Sequence, residues 1–171
     1  MHKNLSHIHP KNFPHYLEAG LEQTPNRKLR ELADHGHSKV RARVAENAKT
    51  PVLLLAKLAE DPAVEVRIAV AQNPAITAAI RLRLITDDDA NVRYAIAEDV
   101  TVPSEILSLL TADNHPYVSH RAHRTLEKVL AAGQQSRKKE SPKERLLRWR
   151  RNASTILGRD GESASGFFAA G

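Results

Sequence analysis

The sequence has no cysteine, few aromatic residues and no long hydrophobic run. Without cysteine, the 171-residue chain cannot form disulfides, thiolate zinc sites, iron–sulfur clusters or a cysteine nucleophile, which excludes a redox role. Aromatic residues make up only 4% of the chain, with a single tryptophan at Trp149. No segment approaches the roughly eighteen apolar residues of a membrane span, and the N-terminal segment lacks the apolar centre of a signal peptide. We therefore expect a cytoplasmic protein without a membrane span.

Catalytic signatures are missing as well. The chain has seven glycines, and they form neither a glycine-rich phosphate loop nor the G-x-S-x-G turn of serine hydrolases. The acidic run Asp87-Asp88-Asp89 lacks the spaced oxygen ligands of a calcium loop and is typical of a solvated helix cap. We expect a protein that is not an enzyme, with no catalytic residue and no cofactor.

Positive charge is concentrated at the C-terminal end of the chain, whose formal net charge is +6. Residues 1–132 contain 17 Lys and Arg against 16 Asp and Glu, whereas residues 133–171 contain 9 against 4. A near-neutral body argues against a broad electrostatic groove that binds DNA along the whole domain. It leaves open a basic tail that contacts a partner.

A period of 26 residues organises the middle of the chain. Residues of the same type recur at this spacing throughout each unit. The matching sets are Val40, Val66, Val92 and Val118; Arg41, Arg67 and Arg93; Ala45, Ala71 and Ala97; Leu58, Leu84 and Leu110; and Asp61, Asp87 and Asp113. The pattern begins at about Thr24 with the second half of a unit, so about three and a half units are present.

Each unit has the apolar spacing of two short helices. Val66, Ala69 and Val70 fall at i, i+3 and i+4, the spacing of one helix face. Asn73-Pro74 then ends this helix, because the residue before proline disfavours the α region. Asp61-Pro62 is expected to start the helix, with the aspartate at its cap. Such short helices are marginal alone, so neighbouring pairs must bury each other's apolar stripes, and we expect an all-α fold stacked as an α-solenoid.

Three successive segments carry the pattern VRxxVAxN…TPxxLLxxLAxD; they are VRARVAENAKTPVLLLAKLAED, VRIAVAQNPAITAAIRLRLITDD and VRYAIAEDVTVPSEILSLLTAD. Over roughly residues 24–126 the chain resembles the leucine-rich repeat variant, a relative of HEAT and armadillo repeats. The resemblance implies a short right-handed α-solenoid; it identifies a scaffold and does not identify an activity. Some members of that family hold an iron–sulfur cluster in a cysteine-rich segment before the repeats. That feature does not carry over, because this chain has no cysteine.

The composition divides the chain into three regions. We expect residues 1–23 to be an N-terminal cap segment with a helix at about Phe13–Leu21, and residues 24–131 to be the repeat domain. Residues 132–171 are expected to be a flexible basic tail.

Two helices and two flexible stretches are expected near the C-terminal end. Tyr117–Ala131 has the periodicity of one longer helix that closes the repeat domain, with Val118, Ala122, Leu126 and Val129 along one side. In the tail we expect flexible stretches at 133–140 and 158–171 and an amphipathic helix at 142–157.

The repeated arginines allow two interpretations. Arg41, Arg67 and Arg93 would form a ladder of guanidinium groups, which could receive carboxylates or phosphates. The interpretation we favour is structural, because aspartates recur with the same period and unpaired charge is rare at packed positions. We therefore predict ion pairs between these arginines and the aspartates of the adjacent unit.

Residues that differ from unit to unit are the candidates for recognising a partner, although solvated surface is the commoner explanation for such variation. The candidate partner surface consists of Arg43, Ile68, Arg81, Arg83, Tyr94, His120, Arg121 and Arg124.

Histidine is abundant, with nine residues, but it does not form a recognisable metal site. His120 and His123 lie at i and i+3, an acceptable geometry for two ligands on one helix face. No HExxH motif, carboxylate at a third spacing or cysteine accompanies them, so we expect no metal.

The tail has the sharpest local motif of the chain. Ser141-Pro142-Lys143-Glu144 has the spacing of a capping box with proline at the first helical position. Apolar residues then alternate with basic ones, which fits phosphate contacts, an interfacial helix on anionic lipid, docking into a protein groove, or a helix folded back on the repeats. The candidate tail contacts are Arg137, Lys138, Lys139, Lys143, Arg145, Arg148, Trp149, Arg150 and Arg151.

The function expected from these features is binding. The sequence predicts a scaffold or adaptor for protein–protein interaction, with another protein as partner and a basic tail that adds affinity. The alternative is a nucleic-acid-binding accessory protein that contacts phosphates through the tail. Self-association through the terminal repeats is open.

Overall fold

The computed structural model describes residues 10–139 and, beyond them, residues 141, 143, 144, 146, 147 and 149. Within this part of the chain every regular element is a helix, so the all-α prediction is confirmed. A 3-10 helix over Pro10–Asn12 precedes α1 (Phe13–Ala19), α2 (Asn26–Ala33), α3 (Ser38–Glu46), α4 (Val52–Leu58), α5 (Val64–Ala71), α6 (Ala78–Leu84), α7 (Ala90–Ala97), α8 (Ser104–Leu110) and α9 (Pro116–Lys139).

The chain divides into two compact units, Met1–Val129 and Leu130–Gly171. Helices α1 to α8 belong to the first unit, and α9 begins in the first and ends in the second. In the described residues, no helix combines the length and the apolar character needed to cross a membrane.

The odd-numbered helices of the first unit pack in succession. Helix α3 contacts α1 on one side and α5 on the other, and α5 in turn contacts α7. The even-numbered helices pack beside them, since α2 contacts α3 and α4, and α6 contacts α5 and α7. One hydrophobic core runs between these helices, and its largest fully buried side chains are Leu29, Leu32, Leu55, Leu58, Leu84, Ile96, Leu107, Leu110, Val40, Val44, Val66 and Val70.

Buried asparagines connect consecutive odd-numbered helices. The side-chain amide of Asn73 donates hydrogen bonds to the carbonyl oxygens of Ala45 (2.6 Å) and Asn47 (3.0 Å). Asn47 makes the same pair of bonds to Ala19 and Leu21, both at 2.9 Å. Helix α1 is therefore linked to α3 by the same hydrogen bonds that link α3 to α5. We had expected α1 only as a cap outside the periodic pattern. It ends at Ala19, two residues before the predicted end.

Asp61 does not cap helix α5, so this prediction is wrong. The helix begins at Val64, and the residue before it, Ala63, has extended backbone angles and makes no side-chain cap. The Asp61 carboxylate instead accepts a hydrogen bond of 2.9 Å from the Ala63 N–H and pairs with Arg41. The carboxylate closes a turn with the residue two positions on, and the helix starts after that turn, as it does after Asp87, where no proline follows.

Helix α9 has the predicted apolar side but extends further than predicted. Val118 and Ala122 are buried, and Leu126 and Val129 pack partly buried against the core. The helix ends at Lys139 rather than at residue 131, so residues 133–139, predicted to be flexible, are helical. A single exposed Gly133 costs only about 1 kcal/mol in a helix, and the alanines, glutamines and basic residues around it are good helix formers. The predicted flexible stretch 158–171 lies outside the described residues.

The capping box at the start of the tail helix is confirmed. The Ser141 N–H donates to the Glu144 carboxylate (2.7 Å), and the Glu144 N–H donates to the Ser141 hydroxyl (3.3 Å). Residues 143, 144, 146, 147 and 149 are helical, and the remainder of the predicted helix at 142–157 lies outside the described residues.

Candidate functional site

Three Arg–Asp pairs, hereafter the rungs, repeat along the first unit. The distance from the arginine Nε to the aspartate Oδ2 is 2.7 Å in Arg41–Asp61, in Arg67–Asp87 and in Arg93–Asp113. In each rung the Nη2 group donates to the other carboxylate oxygen, so the contact is bidentate. The pairing of repeated arginines with the adjacent aspartates is therefore confirmed.

The rungs are internally neutralised. Burial of Asp61 opposes its ionisation, but hydrogen bonds from Arg41 and from the Ala63 N–H outweigh this effect and hold the pKa of the carboxyl below its usual value. The hydrogen bond to Asp61 likewise raises the pKa of Arg41. Arg41 also donates through Nη1 to the carbonyl of His35. The donors of this guanidinium are engaged and most of its side chain is buried, so it has little capacity to bind an external phosphate or carboxylate. We call the rungs and the buried core around them the frame.

Several of the predicted partner residues occupy equivalent places on successive odd-numbered helices. Ile68 on α5, Tyr94 on α7 and His120 on α9 are 26 residues apart. Ile68 and Tyr94 are half-buried, and His120 is exposed. Arg124 lies one turn beyond His120 on α9 and is also exposed.

Two predicted arginines stack on tyrosines of the preceding odd-numbered helix. The Arg121 guanidinium lies 5.9 Å from the centre of the Tyr94 ring, and its Nη2 is 3.5 Å from the Glu98 carboxylate. Arg43 lies 5.5 Å from the centre of the Tyr16 ring and pairs with Glu46 at 2.8 Å. Both arrangements combine a cation–π contact with an ion pair.

The two predicted arginines on α6 do not join this group. Arg81 is largely buried, donates to the carbonyl of Ile76 (3.0 Å) and lies 3.8 Å from Asp99, so its contacts are structural. Arg83 is exposed and approaches Glu60 at 3.4 Å.

A cavity of about 340 Å³ lies where α7 and α9 begin, beside the Arg121–Tyr94 stack. Tyr117 is 76% exposed, and its ring centre is 5.8 Å from that of His115. The lining residues are Ala90, Asn91, Tyr94, His115, Tyr117 and Val118. Of these, sequence reasoning selected only Tyr94 as a partner contact. Tyr117 could have been found, because it stands 26 residues after Asn91, another exposed position.

Two other cavities, of about 340 and 500 Å³, lie along the turns between the helices and are lined by residues of the rungs and by exposed polar side chains. Their main carboxylates, those of Asp61 and Asp87, are occupied by the rung arginines. Among the described side chains, no group of three His, Cys, Asp or Glu residues is placed to hold a metal ion.

The predicted tail contacts are only partly described. Lys143, Leu146, Leu147 and Trp149 are exposed. Arg137, Lys138 and Lys139 belong to the last turns of α9, but their side chains are outside the described part, as are Arg145, Arg148, Arg150 and Arg151.

No family model matches the chain, and neither the curated proteins nor the solved structures compared with it include a match.

Proposed function

We propose that the chain is a non-enzymatic scaffold that binds another protein. Its helix pairs form a short right-handed α-solenoid of the leucine-rich repeat variant type. The partner binds the odd-helix surface, which we define as Ile68, Tyr94, Tyr117, His120 and Arg121. The single observation that carries this proposal is that the repeated Arg–Asp pairs and the buried core hold, at neighbouring positions, partly exposed side chains that change from unit to unit.

The contrast is visible at neighbouring positions of the same helices. Arg41, Arg67 and Arg93 make the same contacts three times. One position further along the chain the residues are Ala42, Ile68, Tyr94 and, on α9, His120. If the second position served only packing, we would expect it to repeat like the first. Repeat scaffolds vary such positions to recognise a partner.

The chemistry of the odd-helix surface suits a protein partner. Tyrosine and arginine are over-represented among residues that dominate binding energy at protein interfaces. Stacking on Tyr94 and the ion pair with Glu98 restrict the Arg121 side chain before any partner arrives. Restriction in advance lowers the entropy cost of binding. The adjoining cavity has a volume at the low end of ligand sites, which suits a partner side chain better than a cofactor.

Affinity capture with matched variants tests this proposal. We expect Tyr94→Ala and Arg121→Ala each to reduce the captured partner about tenfold or more, the loss typical of a central interface residue. Arg30→Ala, an exposed arginine on α2, is the control and should capture as much as the natural chain. Thermal unfolding of all variants checks that the fold persists. Equal capture by all of them would refute the odd-helix surface.

Nucleic acid is the second candidate partner, favoured by the 9 basic against 4 acidic residues of residues 133–171 and by the exposed Lys143 and Trp149. In this alternative the tail contacts phosphates, and affinity must fall steeply with salt because bound counterions are released. Fluorescence anisotropy of labelled RNA and DNA across a salt series measures this. The control is a full-length variant in which all eight basic tail contacts are changed to Gln, and binding that survives in it would exclude the tail; these residues are Arg137, Lys138, Lys139, Lys143, Arg145, Arg148, Arg150 and Arg151.

A further inference from the structure

The first rung of the series has different chemistry from the others. Counting back 26 residues from Arg41 and Asp61 leads to His15 and His35. The two histidines are in contact, with His15 Nδ1 3.1 Å from His35 Nε2 and the rings edge to face. A pair of imidazole rings therefore stands where the next three units have an ion pair.

The surroundings of this histidine pair repeat those of the rungs. His35 Nδ1 accepts a hydrogen bond of 3.0 Å from the N–H two residues later, as the Asp61 carboxylate does at 2.9 Å. Arg41 donates to the carbonyl of His35 at 2.9 Å, and Arg67 donates to that of Asp61 at the same distance. The frame is unchanged, and only the two side chains of the pair differ.

These contacts determine where the protons are. Because His35 Nδ1 accepts from the His37 N–H, the proton of the neutral ring is on Nε2, which donates to His15 Nδ1. An added proton has no acceptor. On His15 Nδ1 it would face the Nε2–H of His35, and on His35 Nδ1 it would face the His37 N–H. Protonation of either ring therefore breaks one of the two hydrogen bonds.

The charges around the pair on balance oppose protonation. Arg41 on α3 and His37 in the preceding turn face His35, and burial together with His15, His37 and Arg41 holds the pKa of His35 below its usual value. Glu31 on α2 interacts with His15, but it is exposed and its carboxylate is engaged with Lys28 at 2.7 Å. His37 uses its own Nδ1 to accept from the Lys39 N–H.

We propose that the His15–His35 pair is a proton-binding site that loosens the attachment of α1 to the turn before α3 when the pH falls below about 6.5, the ordinary midpoint of histidine. The unfolded chain binds a proton at His35 more readily than the folded chain does, so the stabilisation from this residue is complete above that pH and is lost as the pH falls through the lower folded pKa. Acid thus increases the fraction of molecules in which α1 has opened. The proposal is independent of the partner proposed above.

Hydrogen exchange of the full chain tests this site. In the natural protein, protection of the α1 amides relative to those of α7 should fall about threefold or more between about pH 7.5 and about pH 5.5, after correction for intrinsic exchange, as expected when one hydrogen bond is lost. The matched control is His15→Arg with His35→Asp, which installs the pair used by the other three units. This variant should keep α1 equally protected at both pH values.

Equal pH dependence in the two proteins would overturn the proposal. An NMR titration of the histidine rings in the natural chain supplies a second measurement, should the double variant fail to fold. The His35 ring should titrate at lower pH in the folded chain than in the urea-unfolded chain. A folded midpoint equal to or above the unfolded one would also overturn it.

Discussion

The inner and outer positions of the odd-numbered helices differ in how strictly they repeat. Inside, valine, alanine and the rung residues recur from α3 to α7 and make the same contacts each time. Outside, neighbouring positions change between alanine, isoleucine, tyrosine and histidine. The comparison teaches that the interior is constrained by packing against the next unit, whereas the outer positions are only partly buried and tolerate different side chains. Four changes to the frame test the first half of this comparison.

Leu84→Ala should have the largest effect on stability. Leu84 is 1% exposed in the core beneath α6. Truncation removes buried methyl groups and leaves a cavity, so we expect the free energy of unfolding to fall by about 2–5 kcal/mol. Denaturant unfolding measures this loss, with Leu82→Ala, exposed on the same helix, as the control that should stay within about 0.5 kcal/mol. Equal losses in the two variants would contradict the assignment of Leu84 to the core.

Arg67→Leu should have the next largest effect. The substitution leaves the mostly buried Asp87 carboxylate without its bidentate partner, and we expect a loss of about 2–3 kcal/mol. Adding Asp87→Asn removes the unpaired charge but keeps an acceptor for the Asp89 N–H, so part of the loss should be recovered. Denaturant unfolding of these two variants and of Asp87→Asn alone gives the coupling energy of the pair. No recovery in the double variant would show that the rung is not a pair in solution.

Acid should destabilise the rungs in a definite pH window. Asp113 has a pKa held below its usual value by the hydrogen bonds from Arg93 and from the His115 N–H, and the pKa values of Asp61 and Asp87 are lowered as well. Since these folded values are depressed, the stabilisation is complete above about pH 4, the unfolded value, and is lost as the pH falls through the folded values.

The measurement is denaturant unfolding between about pH 7 and about pH 2.5, in the His15→Arg, His35→Asp background so that the histidine pair does not contribute. A variant carrying Asp113→Asn should lose less stability over the acid range than the background chain. Stability that stays constant to the lowest pH would contradict the depressed pKa values.

Asp99→Asn should produce the smallest change in the free energy of unfolding, and it should be a gain in stability where the other changes are losses. Asp99 stands 26 residues after Asn73 but has no amide to donate. It accepts instead from the N–H and hydroxyl of Thr101. An asparagine could keep the Thr101 N–H contact and donate to the α5 end as Asn73 donates to the α3 end, so we expect a gain of about 1 kcal/mol. A loss in thermal unfolding would mean that the 3.8 Å approach of Arg81 to Asp99 is worth more than the new bonds.

The predictable part of the fold is the part in which one local pattern is repeated with a fixed period. The helices, the buried leucines and the rungs follow from that period because each contact has an equivalent contact 26 residues away. Helix α1 was not recognised as part of the pattern, since Pro14 replaces the valine and His15 replaces the arginine of the later units. Its place is decided by packing and by the bonds from Asn47, which no local signal in α1 announces.

The candidate site was only partly predictable. Variation between units indicated Tyr94 and Arg121, and the structure joins them. Variation between units did not distinguish the largely buried Arg81 from exposed arginines, because the burial of a side chain depends on how the neighbouring unit packs. Tyr117 also differs from its counterpart Asn91, but only the structure shows that it lines the same cavity as Tyr94.

Photo-crosslinking from single positions of the full chain tests the central claim most directly. A crosslinking residue in place of Tyr94 or Tyr117 reports on the odd-helix surface, and one in place of Leu53, 87% exposed on α4, reports on another apolar position of the same unit. The account predicts that the same partner protein is crosslinked from positions 94 and 117 and not from position 53. Crosslinks from position 53 alone, or a partner reached only from Trp149 in the tail, would contradict it.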